Sequence, residues 1–352
     1  AATLLSNKKI SLANLPRVKD VETMIKLLES MGSKVEISKN KNSLVIKNDK
    51  KIKTEASYNL MSTMRAGIIV LGPLLARFGK ARVSSPGGCN IGFRPIDIHL
   101  EALKKMGVKY KIIDGYINAN AKNGLVGAKI KFPKISVGAT ENLMIAACLA
   151  KGQTVLSNCA IEPEIKDLSN FLCSIGAKIV WTGRRQVKIV GVKTFKQSSY
   201  KIMFDRIEAG TMLIAGAINQ GNLKITGIES SILKTEIDLL KKIGAKINQK
   251  KNEITIKGNK KIKNINIKTS PFPGVATDIQ AQLMVLLCKA NKRSTIKEDI
   301  FENRFQSVPE LKRMNAKIEV KGNQAIIEGN TIFKGAQVMA TDLRASASLV
   351  LA

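Results

Sequence analysis

The sequence has a single histidine, His99, and no Cys-x-x-Cys pair among its five cysteines, Cys89, Cys148, Cys159, Cys173 and Cys288. A metal site built at ligand spacing and a Ser-His-Asp triad therefore have no support, and an odd, dispersed set of thiols reads as reduced and cytoplasmic. Aromatic residues make up only 4% of the chain, with one tryptophan and four tyrosines, which leaves little for stacking nucleic-acid bases. Acids are scarce too: 27 against 58 lysines and arginines, a net charge of +31. The lysines run along the whole length rather than one arm, so the charge is a general attraction for anions and not a recognition code. No apolar run reaches the roughly 20 residues of a spanning helix. Even Ala66 to Ala76 is closed off by Arg65 and Arg77, and membrane insertion is excluded. Ala1-Ala2-Thr3-Leu4-Leu5 shows neither the basic segment of a signal peptide nor an initiator methionine, so a missing start is expected and an export signal is not.

What the chain does contain is a repeat. Leu27 to Val35, Leu103 to Tyr110, Leu172 to Ile179, Leu240 to Ile247 and Leu311 to Ile318 share one pattern, an amphipathic helix ending in a stop and followed by an alternating strand. The stop is Gly32, Gly107, Gly176, Gly244 and Asn315, at intervals of 75, 69, 68 and 71 residues. Glycine and then asparagine are the residues that enter left-handed backbone at least cost. A second helix family interleaves with the first: Thr63 to Phe78, Ala139 to Ala150, Ile207 to Asn219 and Ala276 to Ala290 are apolar on all sides and are expected to be buried. The unit is too long for a solenoid repeat and reads as a small α+β subdomain, multiplied. Both ends fall inside a unit, so the chain is expected to be part of a sixfold-repeat protein with domains at 1–203 and 204–352, the first truncated N-terminally and the second C-terminally.

Two loops break the pattern. Ser84 to Pro95 packs three glycines, two prolines, Cys89 and Arg94 into one connection, a setting that exposes a thiol and can lower its pKa, whereas the other four cysteines sit in apolar patterns expected to be core. The second, Ser270 to Gln280, is proline-rich and delivers Thr277-Asp278 to the start of a buried helix. Thr341-Asp342-Leu343-Arg344 repeats that arrangement, and Asp205-Arg206 opens another helix. Favourable interaction with the helix dipole explains each acid singly, and three together suggest an anion-binding cleft between domains.

The run Pro86-Gly87-Gly88-Cys89-Asn90-Ile91-Gly92-Phe93-Arg94-Pro95-Ile96-Asp97-Ile98-His99-Leu100 resembles the active-site loop of the UDP-N-acetylglucosamine 1-carboxyvinyltransferase family, enolpyruvyl transferases that open peptidoglycan synthesis. The resemblance extends through Thr63-Met64-Arg65-Ala66, Val137-Gly138-Ala139-Thr140, Glu162-Pro163-Glu164-Ile165, Asp205-Arg206-Ile207-Glu208, Ala276-Thr277-Asp278-Ile279-Gln280, Ile300-Phe301-Glu302-Asn303-Arg304-Phe305 and Ala340-Thr341-Asp342-Leu343-Arg344-Ala345-Ser346-Ala347-Ser348. It implies an inside-out α/β barrel in two domains of three helix-strand subdomains. It also implies transfer of the enolpyruvyl group of phosphoenolpyruvate to the sugar 3-hydroxyl by addition and elimination, with release of phosphate and no metal or cofactor.

On that resemblance Cys89 is the general acid and Asp278 accepts the sugar hydroxyl proton. Arg65 and Arg94 bind anions. Arg94, Pro95, Ile96, Asp97 and Ile98, together with Lys134, Ile135, Ser136 and Val137, contact the nucleotide sugar; Ile300 lies by the sugar, and Asp342 and Arg344 are cleft residues. The family's phosphate-binding Lys-Asn pair falls before Ala1 and a further substrate-binding arginine after Ala352, so this chain is expected to transfer enolpyruvyl poorly. The rival readings are the sister transferase acting on shikimate 3-phosphate, which shares the repeat and lacks the cysteine loop, a basic nucleic-acid-binding module, and a noncatalytic fragment.

Overall fold

All five expected stops adopt left-handed backbone: φ is +105° at Gly32, +92° at Gly107, +109° at Gly176, +112° at Gly244 and +76° at Asn315. The structure, a computed structural model, describes the chain apart from residues 50, 86–95 and 341. Each stop ends an amphipathic helix, in order Lys19–Ser30, Asp97–Lys105, Pro163–Ser174, Lys234–Ile243 and Ser307–Arg313, and an antiparallel hairpin follows, as in Lys178–Gly183 with Gln186–Val190.

Every hairpin gains a third strand, and in four of the five sheets a fourth runs parallel at the edge. The sheet ordered Glu55–Ala56, Lys80–Ser84, Tyr116–Asn120, Lys109–Ile113 shows the plan, with its first pair parallel and the next two antiparallel. In the first sheet the parallel edge strand is Ser198–Lys201 beside Ile10–Ala13. The sheet of Asn222–Thr226, Glu253–Lys257 and Lys246–Lys250 has three strands among the described residues.

Within each unit the apolar helices take the inside and the sheets the outside. All nine residues of Gln280–Cys288 are buried, and strands such as Glu253–Lys257 alternate between core, at Ile254 and Ile256, and an outer face that ends in an exposed lysine. The helix-inside order is thus the expected one. Among the described residues, however, no sheet closes on itself, because short strands end in separate open sheets joined through buried helices.

The helix expected over Thr63 to Phe78 is broken into a 3-10 segment, Arg65–Val70, and an α-helix, Leu71–Phe78. Pro73 has no N–H to continue a single ladder, and the Gly72 N–H is donated to Asn142 Oδ1 at 2.7 Å instead.

The described residues up to Met203 form one compact unit and Phe204–Ala352 another, each with its own apolar core. Cys148, Cys159 and Cys288 are buried, but Cys173 is exposed, against expectation: it falls off the stripe of Ile165, Ser169, Phe171 and Leu172 that its helix buries. Among the described residues no helix is long and apolar enough to cross a membrane.

Candidate active site

In the second unit an arginine that the sequence left without a role organises the acids. Arg304 is only 3% exposed and donates from Nη2 to Asp278 Oδ1 at 2.7 Å; its Nη1 lies 3.9 Å from Asp342 Oδ1, and its Nε donates to the Thr277 carbonyl at 3.3 Å. Arg344 Nε is 3.8 Å from the same Asp278 Oδ1. Two arginines therefore converge on one carboxylate that is itself half-buried, so its position is fixed while water or a ligand can still reach it.

Asp342 has a second task. Its Oδ1 accepts the N–H groups of Arg344 at 2.9 Å and Ala345 at 3.1 Å, capping the helix Leu343–Leu351 and thereby setting where Arg344 begins. Asp205 caps the helix Arg206–Ile218 in the same way, through the N–H groups of Ile207 and Glu208. The capping reading thus holds for Asp342 and Asp205. Asp278, in the 3-10 turn Thr277–Ile279, makes no side-chain cap there and pairs with the arginines.

A buried glutamate links this cluster to Ile300. Glu298 Oε1 accepts the Ile300 N–H at 2.8 Å and the Phe301 N–H at 3.2 Å, while Oε2 accepts the Thr277 hydroxyl at 2.9 Å. Sequence reading missed both Glu298 and Arg304. Arg304 lies inside the stretch that carries the family resemblance, which is the one signal that pointed near it.

Cys89, Arg94 and Pro95 lie outside the described residues. Arg65 is half-buried at the head of its 3-10 segment. Ile96 is half-buried and Asp97 exposed at the start of the helix Asp97–Lys105, whereas the Ile98 side chain belongs to the core, so a ligand contact by that side chain is not expected. Lys134 is exposed, and Ile135, Ser136 and Val137 lead into the helix Val137–Ala147. Ser136 Oγ accepts the Ala139 N–H at 3.3 Å as the N-cap. A helix N-terminus flanked by an exposed lysine favours an anionic group.

The family model described as EPSP synthase (3-phosphoshikimate 1-carboxyvinyltransferase) matches residues 1–352. A protein of Pelagibacter ubique (strain HTCC1062) named UDP-N-acetylglucosamine 1-carboxyvinyltransferase is 70% identical over 352 residues, 100% of this chain and 84% of that protein. Proteins with the same name from Trichlorobacter lovleyi and from Rickettsia rickettsii (strain Sheila Smith) are 48% and 46% identical, again over 100% of this chain and 83% and 84% of theirs. Among solved structures, the enolpyruvyl transferase NikO from Streptomyces tendae superposes with a TM-score of 0.89 at 22% identity, covering 99% of this chain and 83% of that one. An EPSP synthase from Acinetobacter baumannii gives 0.72 at 16% identity, covering 99% and 85%. These two share the fold, and the matched family model together with the sequence relatives places the chain in the EPSP synthase family.

Proposed function

We propose that this chain transfers the enolpyruvyl group of phosphoenolpyruvate to the 3-hydroxyl of UDP-N-acetylglucosamine, the step that commits the nucleotide sugar to peptidoglycan. The observation that carries this reading is 70% identity along the whole chain to a protein named for that reaction. The sister reaction on shikimate 3-phosphate has weaker support, since the EPSP synthase that superposes is 16% identical. The sugar O3 forms a bond to C2 of phosphoenolpyruvate, and its proton passes to Asp278. Cys89 supplies a proton to C3. The tetrahedral adduct then loses a proton from C3 and its C2–O–phosphate bond breaks, restoring the enol double bond and releasing phosphate.

Asp278 suits its part because Arg304 and Arg344 hold Oδ1 in place, and a base must be within hydrogen-bond reach of the proton it takes. Arg65, Arg94 and Arg344 are assigned to the phosphate and the carboxylate, since a cation aimed at charge that develops in the transition state is worth several kcal/mol, on the order of a hundredfold in rate. Asp97, Lys134 and the Ser136–Val137 helix start are assigned to the nucleotide sugar, and Ile300 to the sugar ring. The substrates and the dispersed thiols both suit work in the cytoplasm. Phosphate release from phosphoenolpyruvate, measured with UDP-N-acetylglucosamine and separately with shikimate 3-phosphate, tests the proposal. Release only with the nucleotide sugar, together with a product heavier by the enolpyruvyl group, is expected; release only with shikimate 3-phosphate overturns it.

A further inference from the structure

Asn142 is fully buried on the helix Val137–Ala147, and both hydrogens of its amide are committed. Oδ1 accepts the Gly72 N–H at 2.7 Å, and Nδ2 donates to the Ile68 carbonyl at 3.2 Å and lies 3.1 Å from His99 Nδ1. One side chain thus ties together three segments. Ile68 and Gly72 follow Arg65, His99 follows Ile96, Asp97 and Ile98, and Asn142 stands on the helix that begins after Lys134, Ile135 and Ser136. The fit is close: a Cβ on Gly72 would sit 2.3 Å from Asn142 Oδ1, and one on Gly138 3.3 Å from His99 Cε1.

We infer that Asn142 and His99 are a positioning pair that holds three substrate-binding segments of this unit in register, the two assigned to the nucleotide sugar and the one that carries Arg65. The inference rests on the proposed function for its ligand. Because both Nδ2 hydrogens are donated, His99 Nδ1 must offer a lone pair, which places the ring proton on Nε2. The surroundings agree: burial and the neighbouring Arg65 lower the His99 pKa to about 4, with Asp97 opposing them, so the ring is neutral wherever its lone pair is needed. Neither residue need touch ligand. Loss of the link lets the three segments shift relative to one another, and small misplacements of binding groups are costly.

With one histidine in the chain, every histidine signal from protein labelled with 15N-histidine belongs to His99. The expected spectrum has Nδ1 unprotonated and Nε2 protonated, unchanged from pH 8 to pH 5. Affinity for UDP-N-acetylglucosamine, measured by calorimetry beside thermal melts, is expected to fall about tenfold in Asn142→Ala and His99→Leu. His99→Asn, whose Oδ1 can stand in for Nδ1 as acceptor, should stay within about threefold of wild type, and in turnover assays the loss should appear in KM rather than kcat. A proton on Nδ1 overturns the inference, as does His99→Asn binding as weakly as His99→Leu. Should His99→Leu fail to fold, the tautomer and His99→Asn still decide. A wild type with the expected tautomer that does not bind the nucleotide sugar overturns the functional reading and this inference with it. Unchanged binding in Asn142→Ala and His99→Leu, with wild type binding, overturns the inference alone.

Discussion

The thiols of Cys148, Cys159 and Cys288 are buried in apolar surroundings that disfavour the thiolate. Burial pushes Cys159 and Cys288 up to about 12 and Cys148 higher still, so none is a thiolate near neutrality. Cys173 is exposed and Cys89 sits among glycines, which leaves two candidates for a small electrophile. Iodoacetamide at pH 7 followed by peptide mapping should label these two and spare the other three, and phosphoenolpyruvate with UDP-N-acetylglucosamine should protect Cys89 but not Cys173. Labelling of Cys159 or Cys288 first would remove Cys89 from its assigned role.

His99 also makes a stability prediction. Its pKa of about 4 lies below the ordinary 6.5, so between those values the unfolded chain binds more protons than the folded one, and the histidine's contribution is lost as pH falls from 7 toward 4. The size is about 3 kcal/mol. Glu141 works in the opposite direction, raised to about 7 by burial and by Glu164 and Glu162, so total stability is the wrong observable. The difference between wild type and His99→Asn in urea unfolding isolates the histidine. It should shrink by about 3 kcal/mol from pH 7 to pH 4, and a pH-independent difference would contradict the buried neutral ring.

At the scale of elements, the repeat was legible and the site only partly so. A helix that must stop and reverse into a hairpin needs left-handed backbone, and that need writes glycine or asparagine at five spaced positions, Gly32 to Asn315. Packing also writes the apolar helices, although the Gly72-Pro73 break was overlooked. Arg304 writes no comparable signal, because its partner Asp278 is 26 residues away and nothing periodic connects them. The same holds for Glu298, which reads as one more acid after a strand. Its role predicts a distinct phenotype. Glu298→Ala strands two N–H groups and the Thr277 hydroxyl, which should cost about 3 kcal/mol in urea unfolding. It should also lower kcat more than tenfold by releasing the Thr277-Asp278 turn from Ile300. Thr277→Val cuts one bond and should cost about 1 kcal/mol. Glu298→Ala with wild-type turnover would show that the link is purely structural.

For the whole molecule, two separate cores and a net charge of +31 are the features that matter. The charge is spread over the outer faces of the sheets, where ion pairs such as Lys34 with Asp49 and Lys268 with Asp299 are exposed and weak. Such a surface cannot choose between anions, but it raises their concentration around the protein, and both proposed substrates are anionic. Salt separates this diffuse effect from the site's own charges. The screening length falls from roughly 30 Å at 0.01 M to about 8 Å at 0.15 M, which removes long-range attraction and leaves contacts at bonding distance nearly intact. Arg304 is only 3% exposed and holds Asp278 Oδ1 at 2.7 Å, a contact far shorter than the screening length even though Asp278 itself is open to water. Raising KCl from about 10 to about 150 mM should therefore lower kcat/KM for UDP-N-acetylglucosamine by about tenfold while kcat stays within about twofold. If kcat falls instead, salt is weakening the short-range contacts of the Asp278 cluster, and the separation of diffuse from local charge is wrong.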